Sequence, residues 1–164
     1  MYEPRWYAAY TLPRHEKAVA EQLRLKAVET YLPLFEKATR WKDRVARVQL
    51  PLFPGYVFVR MPLREKVQVL SISSVLRLVG FSGHPEPLPE GEIEKLRTFL
   101  SVRRAEPFPY LRKGNRVRVV SGPLQNVEGV IVRKKSGMRI VVAVDSIQRS
   151  IAVELEAADL RSVA

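Results

Sequence analysis

Cysteine is absent from this 164-residue chain, which excludes disulfides, thiolate metal sites and cysteine nucleophiles and leaves stability to packing. Histidine is nearly as scarce. The two present, His15 in a charged run and His84 in a proline-rich one, belong to no grouping of acid, base and nucleophile, and no His-rich spacing supports zinc. Acidic residues number 17 against 28 Lys and Arg, and they show no loop pattern for calcium. No apolar run approaches the ~20 residues needed to span a bilayer. The opening Met1-Tyr2-Glu3-Pro4-Arg5 also lacks the charged-then-apolar pattern of a signal peptide. These absences predict a cytoplasmic protein that is not an enzyme, holds no metal or cofactor and does not enter membranes.

What is present points to a folded, basic protein. Apolar residues make up 46% of the chain, enough for the packed core of one ordinary domain or two small ones. The net charge of +11 and a pI near 10.3 favour a polyanionic partner, because clustered Lys and Arg release condensed counterions when they meet phosphates. Nucleic acid is the leading candidate. The charge is densest towards the C-terminus: residues 103–135 carry nine basic side chains against Glu106 and Glu128, which reads as a directed patch.

Periodicity divides the chain. Trp6-Tyr7-Ala8-Ala9-Tyr10 reads as an opening strand stopped at Thr11-Leu12-Pro13. Over residues 14–29, Val19, Leu23 and Ala27 recur every four positions with Ala20 beside them, opposite Lys17, Glu21 and Arg24, so an amphipathic helix is expected. Residues 30–35 and 45–53 lean towards strand on either side of Arg40-Trp41-Lys42-Asp43-Arg44, which predicts a long hairpin with a basic tip. Tyr56-Val57-Phe58-Val59-Arg60-Met61 is apolar on both alternating sets, as a central strand should be. A short helix over 64–70, a strand over 75–79 and a second amphipathic helix over 90–102 complete an α+β module, a two-layer antiparallel sheet with helices. Pro107 and Pro109 interrupt the helical period, so residues 105–110 read as a linker between domains at 1–104 and 111–164. Beyond it, β-rich runs at 116–120, 127–132, 140–144 and 150–155 predict a small all-β barrel, with turns at Ser121-Gly122-Pro123, Ser136-Gly137 and Ser146-Ile147-Gln148.

The string Val119-Val120-Ser121-Gly122-Pro123-Leu124-Gln125-Asn126-Val127-Glu128-Gly129-Val130-Ile131-Val132 resembles the KOW motif of SH3-like barrels. In it a turn at Gly122-Pro123 returns Leu124 to the core, and Gly129 sits where a bulge or a close backbone approach is needed. Trp6-Tyr7, Pro13-Arg14-His15-Glu16-Lys17, Leu52-Phe53-Pro54-Gly55-Tyr56-Val57-Phe58-Val59 and Val79-Gly80-Phe81 resemble, in order and spacing, the N-terminal domain of the NusG family. With the KOW string they cover nearly the whole chain.

The resemblance implies a monomeric transcription elongation or antitermination factor at the nucleoid. Its N-terminal domain would grip the clamp helices of the largest RNA polymerase subunit, hold the clamp closed and suppress pausing. Carried over by position, the polymerase contact falls on Tyr10, Phe53, Pro54 and Tyr56, on the expectation that aromatics beside a rigid turn stand exposed as anchors. Val57 and Val59 are read as core. Arg14, His15 and Lys17 would face non-template DNA, and Arg40, Lys42 and Arg44 upstream DNA, through phosphates rather than bases. Ile147, Gln148 and Arg149 would meet a small-subunit ribosomal protein or the termination factor Rho. Housekeeping members carry an aromatic and then glycine at the positions of Ile147-Gln148, and this departure aligns the chain with specialised paralogues of the RfaH and UpxY kind. The Val- and Ile-rich barrel runs suit strands, so a helical refolding of the barrel is not expected. The rival reading is a ribosome-associated RNA-binding protein of the KOW type.

Overall fold

Aromatic and small apolar residues fill Arg5–Thr11, and this run is β1 of the computed structural model, which describes residues 2–111, 114–134 and 137–160. Arg112, Lys113 and Lys135 of the expected basic stretch, Ser136 of the expected turn and residues 161–164 lie outside the described residues. The chain forms two compact units, Met1–Glu90 and Gly91–Ala164.

In the first unit β1 is followed by α1 (Glu16–Leu25), β2 (Glu29–Tyr31), β3 (Leu34–Trp41), β4 (Arg44–Pro51) and β5 (Tyr56–Met61). A short 3-10 turn at Leu63–Glu65 leads into α2 (Lys66–Leu70), β6 (Val75–Leu78), β7 (Gly80–Phe81) and β8 (His84–Pro85). The main sheet has the order β2-β5-β1-β6 and is antiparallel throughout. Strand alternation sends Tyr7 and Ala9 of β1, with Val57, Val59 and Met61 of β5, to one face. There they share a core with Val19, Ala20 and Leu23 of α1 and Val69 of α2. Trp6, Ala8, Tyr56 and Phe58 belong to the opposite face and are also buried. Burial on both faces explains why β5 shows no polar alternation before Arg60.

Helix α1 is shorter than its period suggested, ending at Leu25. Lys26 is the C-cap, and Ala27 takes a left-handed φ of 60°. The Val28 N–H then donates to the Leu23 carbonyl and the Ala27 N–H to that of Arg24, both at 2.9 Å. This is the Schellman arrangement, in which the apolar residue beyond the cap also packs on the last turn. Ala27 therefore points to solvent rather than to the core.

The second unit contains α3 (Glu92–Leu100), β9 (Ala105–Phe108), β10 (Arg116–Arg118), β11 (Glu128–Lys134), β12 (Gly137–Val144), a 3-10 turn at Asp145–Ile147, β13 (Arg149–Glu154) and α4 (Ala157–Leu160). Its five strands run antiparallel in the order β10-β11-β12-β13-β9. The span expected as linker thus contributes a strand, β9, registered on β13 from Val153↔Ala105 to Ser150↔Phe108. Pro107 fits because β9 is an edge strand, where a missing N–H costs no ladder bond. The division between compact units falls before α3 instead of at 104–105. Leu124 is fully buried, as its place after the Gly122-Pro123 turn required. Gly129 meets the expected close approach: a Cβ there would lie 2.1 Å from the Val141 carbonyl oxygen. Arg103 locks the end of this unit with a fork on Asp159, Nε to Oδ2 at 2.7 Å and Nη2 to Oδ1 at 2.8 Å. That fork holds the Asp159 carboxyl below the usual carboxylate range.

Candidate functional site

Two proline turns meet at one end of the main sheet. In Phe53-Pro54-Gly55-Tyr56 the Tyr56 N–H donates to the Phe53 carbonyl at 3.1 Å, and Gly55 takes a φ of 88°. Proline followed by a residue of positive φ is the type II turn, and only glycine adopts that conformation without strain. The second turn, Leu12-Pro13-Arg14-His15, has the same build, with His15 N–H donating to the Leu12 carbonyl at 3.1 Å. Here the positive φ, 66°, falls on Arg14. A long side chain in that region is held there by its surroundings.

The turns are tied together by Glu16, which sequence reasoning saw only as part of a motif. Its carboxylate is 4% exposed and accepts the Gly55 N–H at 2.8 Å from the first position of α1. The helix N-terminus favours the negative charge. Thr11 N–H donates to the Gly55 carbonyl, also at 2.8 Å, so both backbone groups of Gly55 are engaged. His15 Nδ1 and Ser74 Oγ are 2.7 Å apart, which fastens the second turn to the segment before β6. Tyr10 lies across from Tyr56 on β5 and from Arg77 on β6. The two tyrosine rings are 5.3 Å apart, and the Arg77 guanidinium sits 4.9 Å over the Tyr10 ring. Arg77 escaped the sequence reading because its only signal is an exposed place in a short edge strand.

The exposed-anchor expectation is corrected for two of its four residues. Phe53 is 1% exposed and packs edge-on against Phe58 at 5.6 Å, and Tyr56 is 6% exposed. A large aromatic next to a rigid turn is here spent on fixing the turn. Pro54 is exposed and Tyr10 half-buried, so they and Arg77 make the accessible surface. Arg14, His15 and Lys17 are all exposed beside them. Arg40, Lys42 and Arg44 are exposed at the tip of the separate β3–β4 hairpin, and the structure does not bring them to the turns as one cluster.

The sequence profile described as "Transcription termination factor nusG" matches residues 4–97, more than half of the chain. The chain belongs to the NusG family. The transcription termination/antitermination protein NusG of Pseudomonas aeruginosa is 30% identical to it, covering 97% of this chain and 98% of that protein. That of Deinococcus radiodurans is also 30% identical, over 92% and 95% of the two chains. In fold it resembles a solved structure of Thermotoga maritima NusG with a TM-score of 0.63, at 21% identity and over 98% and 96% of the chains. The protein is thus a member of the NusG family of transcription termination/antitermination factors, and no helix among its described residues is long and apolar enough to cross a membrane.

In this NusG-family chain the C-terminal candidate residues surround one strained position. Ile147 is 4% exposed, so it anchors the loop from within, contrary to its expected place on the contact surface. Gln148 and Arg149 are exposed. Gln148 has φ 51° and ψ 49°, the left-handed region. Glycine would take that conformation without strain, and glutamine bears it at a cost. Next to the loop, Glu92 of α3 has a buried Oε2 with no hydrogen-bond partner among the described residues. Burial first, then the nearby Asp145, pushes its carboxyl up to about 7 against the pull of Lys95.

Proposed function

We propose that this protein is an elongation and antitermination factor that binds the clamp helices of the largest RNA polymerase subunit and suppresses pausing or termination. The observation that carries this reading is the pair of linked type II turns, which hold Tyr10 and Pro54 on a rigid, half-apolar surface at one end of the sheet. Phe53 and Tyr56 act beneath that surface, positioning it, and Arg77 borders it. Rigid display lowers the entropy lost on docking. A ligand that prefers the closed, active polymerase shifts its population by the difference in affinity between the two states.

The remaining assignments follow from that docking. Arg14, His15 and Lys17 contact non-template DNA, and Arg40, Lys42 and Arg44 reach upstream DNA through its phosphates. The second unit is a KOW-type SH3-like barrel, supported by five antiparallel strands, the buried Leu124 and the close approach at Gly129. Gln148 and Arg149 meet a ribosomal protein or Rho, with Ile147 shaping the loop. The Ile147-Gln148 departure favours a specialised antiterminator. Cofractionation tests the reading: the protein is expected to co-purify with core polymerase at moderate salt. Sedimentation with ribosomal subunits in the absence of polymerase, without polymerase binding, would overturn it in favour of a ribosomal KOW protein.

A further inference from the structure

The β3–β4 hairpin is a two-stranded ribbon that pairs with no other strand among the described residues. Its eight rungs run from Leu34↔Pro51 to Trp41↔Arg44, a length of roughly 25 Å at strand rise. The two faces differ. One carries Glu36, Arg40, Arg47 and Val45, and there Arg47 is already engaged by Glu36 at 3.1 Å. The other ends in Trp41 directly opposite Arg44, with Thr39 and Ala46 behind them and then Lys37 opposite Val48. Trp41 is 63% exposed, and Lys37 and Arg44 are exposed with no acidic partner among the described residues. The rung between is low, because Thr39 and Ala46 are small and the Thr39 hydroxyl turns to the Ala46 carbonyl at 3.2 Å.

We propose that this face of the hairpin binds single-stranded nucleic acid, with the Trp41 indole stacking on an unpaired base and Arg44 and Lys37 meeting the flanking phosphates. An exposed indole offers duplex phosphates one N–H donor and no charge and leaves its ring unused there, whereas an unpaired base presents a π-face on which the whole ring stacks. Cations on the same face supply the backbone attraction that makes such binding salt-dependent. Same-face positions on a strand are about 6.6 Å apart, so Lys37 lies roughly 13 Å along the strand from Trp41, within reach of a phosphate a nucleotide or two away. The low rung of Thr39 and Ala46 leaves room for the sugar-phosphate backbone to cross. The inference rests on the proposed reading that this protein works beside nucleic acid, and it names an unpaired strand as the ligand of the Trp41 face of the hairpin.

The test uses the whole protein without polymerase. Trp41 and Trp6 are the two tryptophans, and Trp6 is 8% exposed, so quenching of the exposed emission reports stacking at Trp41. Oligo(dT) and oligo(U) are each expected to quench it, while a duplex of the same length is not. The preferred oligomer tells whether DNA or RNA is the natural source. By anisotropy of labelled oligomers, Trp41→Ala should bind at least about fivefold more weakly, the lower end of one stacked base, and Trp41→Phe should retain most of the affinity. Arg44→Gln should flatten the salt dependence by about one phosphate contact. Equal binding by Trp41→Ala with an unchanged thermal melt, or tighter binding of duplex than of single strand, overturns the proposal. Co-purification of Trp41→Ala with polymerase is expected to persist, which separates this failure from failure of the polymerase reading.

Discussion

A carboxylate buried at the first turn of a helix is stable only where donors reach it, and for Glu16 the donor is the Gly55 N–H of a distant turn. Glu16→Ala removes the acceptor and leaves that N–H without its partner, so it should cost about 1–3 kcal/mol, read as a lowered denaturation midpoint. Glu16→Gln, which keeps an amide oxygen, should recover part of the loss. If Glu16→Ala melts like the native protein, the turns are not tied in this way. Phe53 belongs to the same scale: truncating so buried an aromatic costs about 3–5 kcal/mol, so Phe53→Ala would report folding before it reported binding. The sequence showed which residues cluster at the turn but not which way they face. Phe53 and Tyr56 look identical on paper as anchor or core, and only the packing of Phe53 on Phe58 decides.

At the scale of elements, periodicity located β1, α1, β5 and the long hairpin with its basic tip, because each pattern is set by local sequence. Misses came where a nonlocal partner decided. Residues 105–108 contain a proline and no alternation, and become a strand only because β13 offers them an edge. Helix α3 was legible, but its membership of the second unit was not, since its apolar side fits any sheet. That helix brings a pH dependence. Glu92 has an ordinary value of 4.5 and one of about 7 in the fold. Its protonated form contributes stability that is whole below pH 4.5 and is lost as pH rises through about 7. Glu92→Gln mimics the protonated form and should therefore stabilise the second unit at pH 8, by about 1 kcal/mol given that water still screens a partly exposed carboxyl, and change little at pH 4. Thermal melts of the two proteins at both pH values check this, and an equal gap at pH 4 and pH 8 would contradict the role of Glu92.

The whole molecule joins an α+β unit with helices on one face of its main sheet to a five-stranded one, under a net charge of +11. That charge was legible from composition, and it drives attraction to nucleic acid rather than the choice of fold. The family was legible as well, since the motifs quoted for its N-terminal domain lie in order within the residues that the family profile matches. What composition and motif could not supply was the division of labour inside the site: a buried set of Phe53, Tyr56 and Glu16 that fixes the turns, and an accessible set of Tyr10, Pro54 and Arg77 that faces outward. The most direct test of this account is the capture of core RNA polymerase by the native protein and by a Tyr10→Ala/Pro54→Ala double variant, with Pro54→Ala alone as a milder partner and thermal melts as a check on folding. The account predicts that the folded double variant retains polymerase roughly tenfold less well or worse, as expected for loss of central interface residues. Equal retention of polymerase by the native protein and the folded double variant would contradict it.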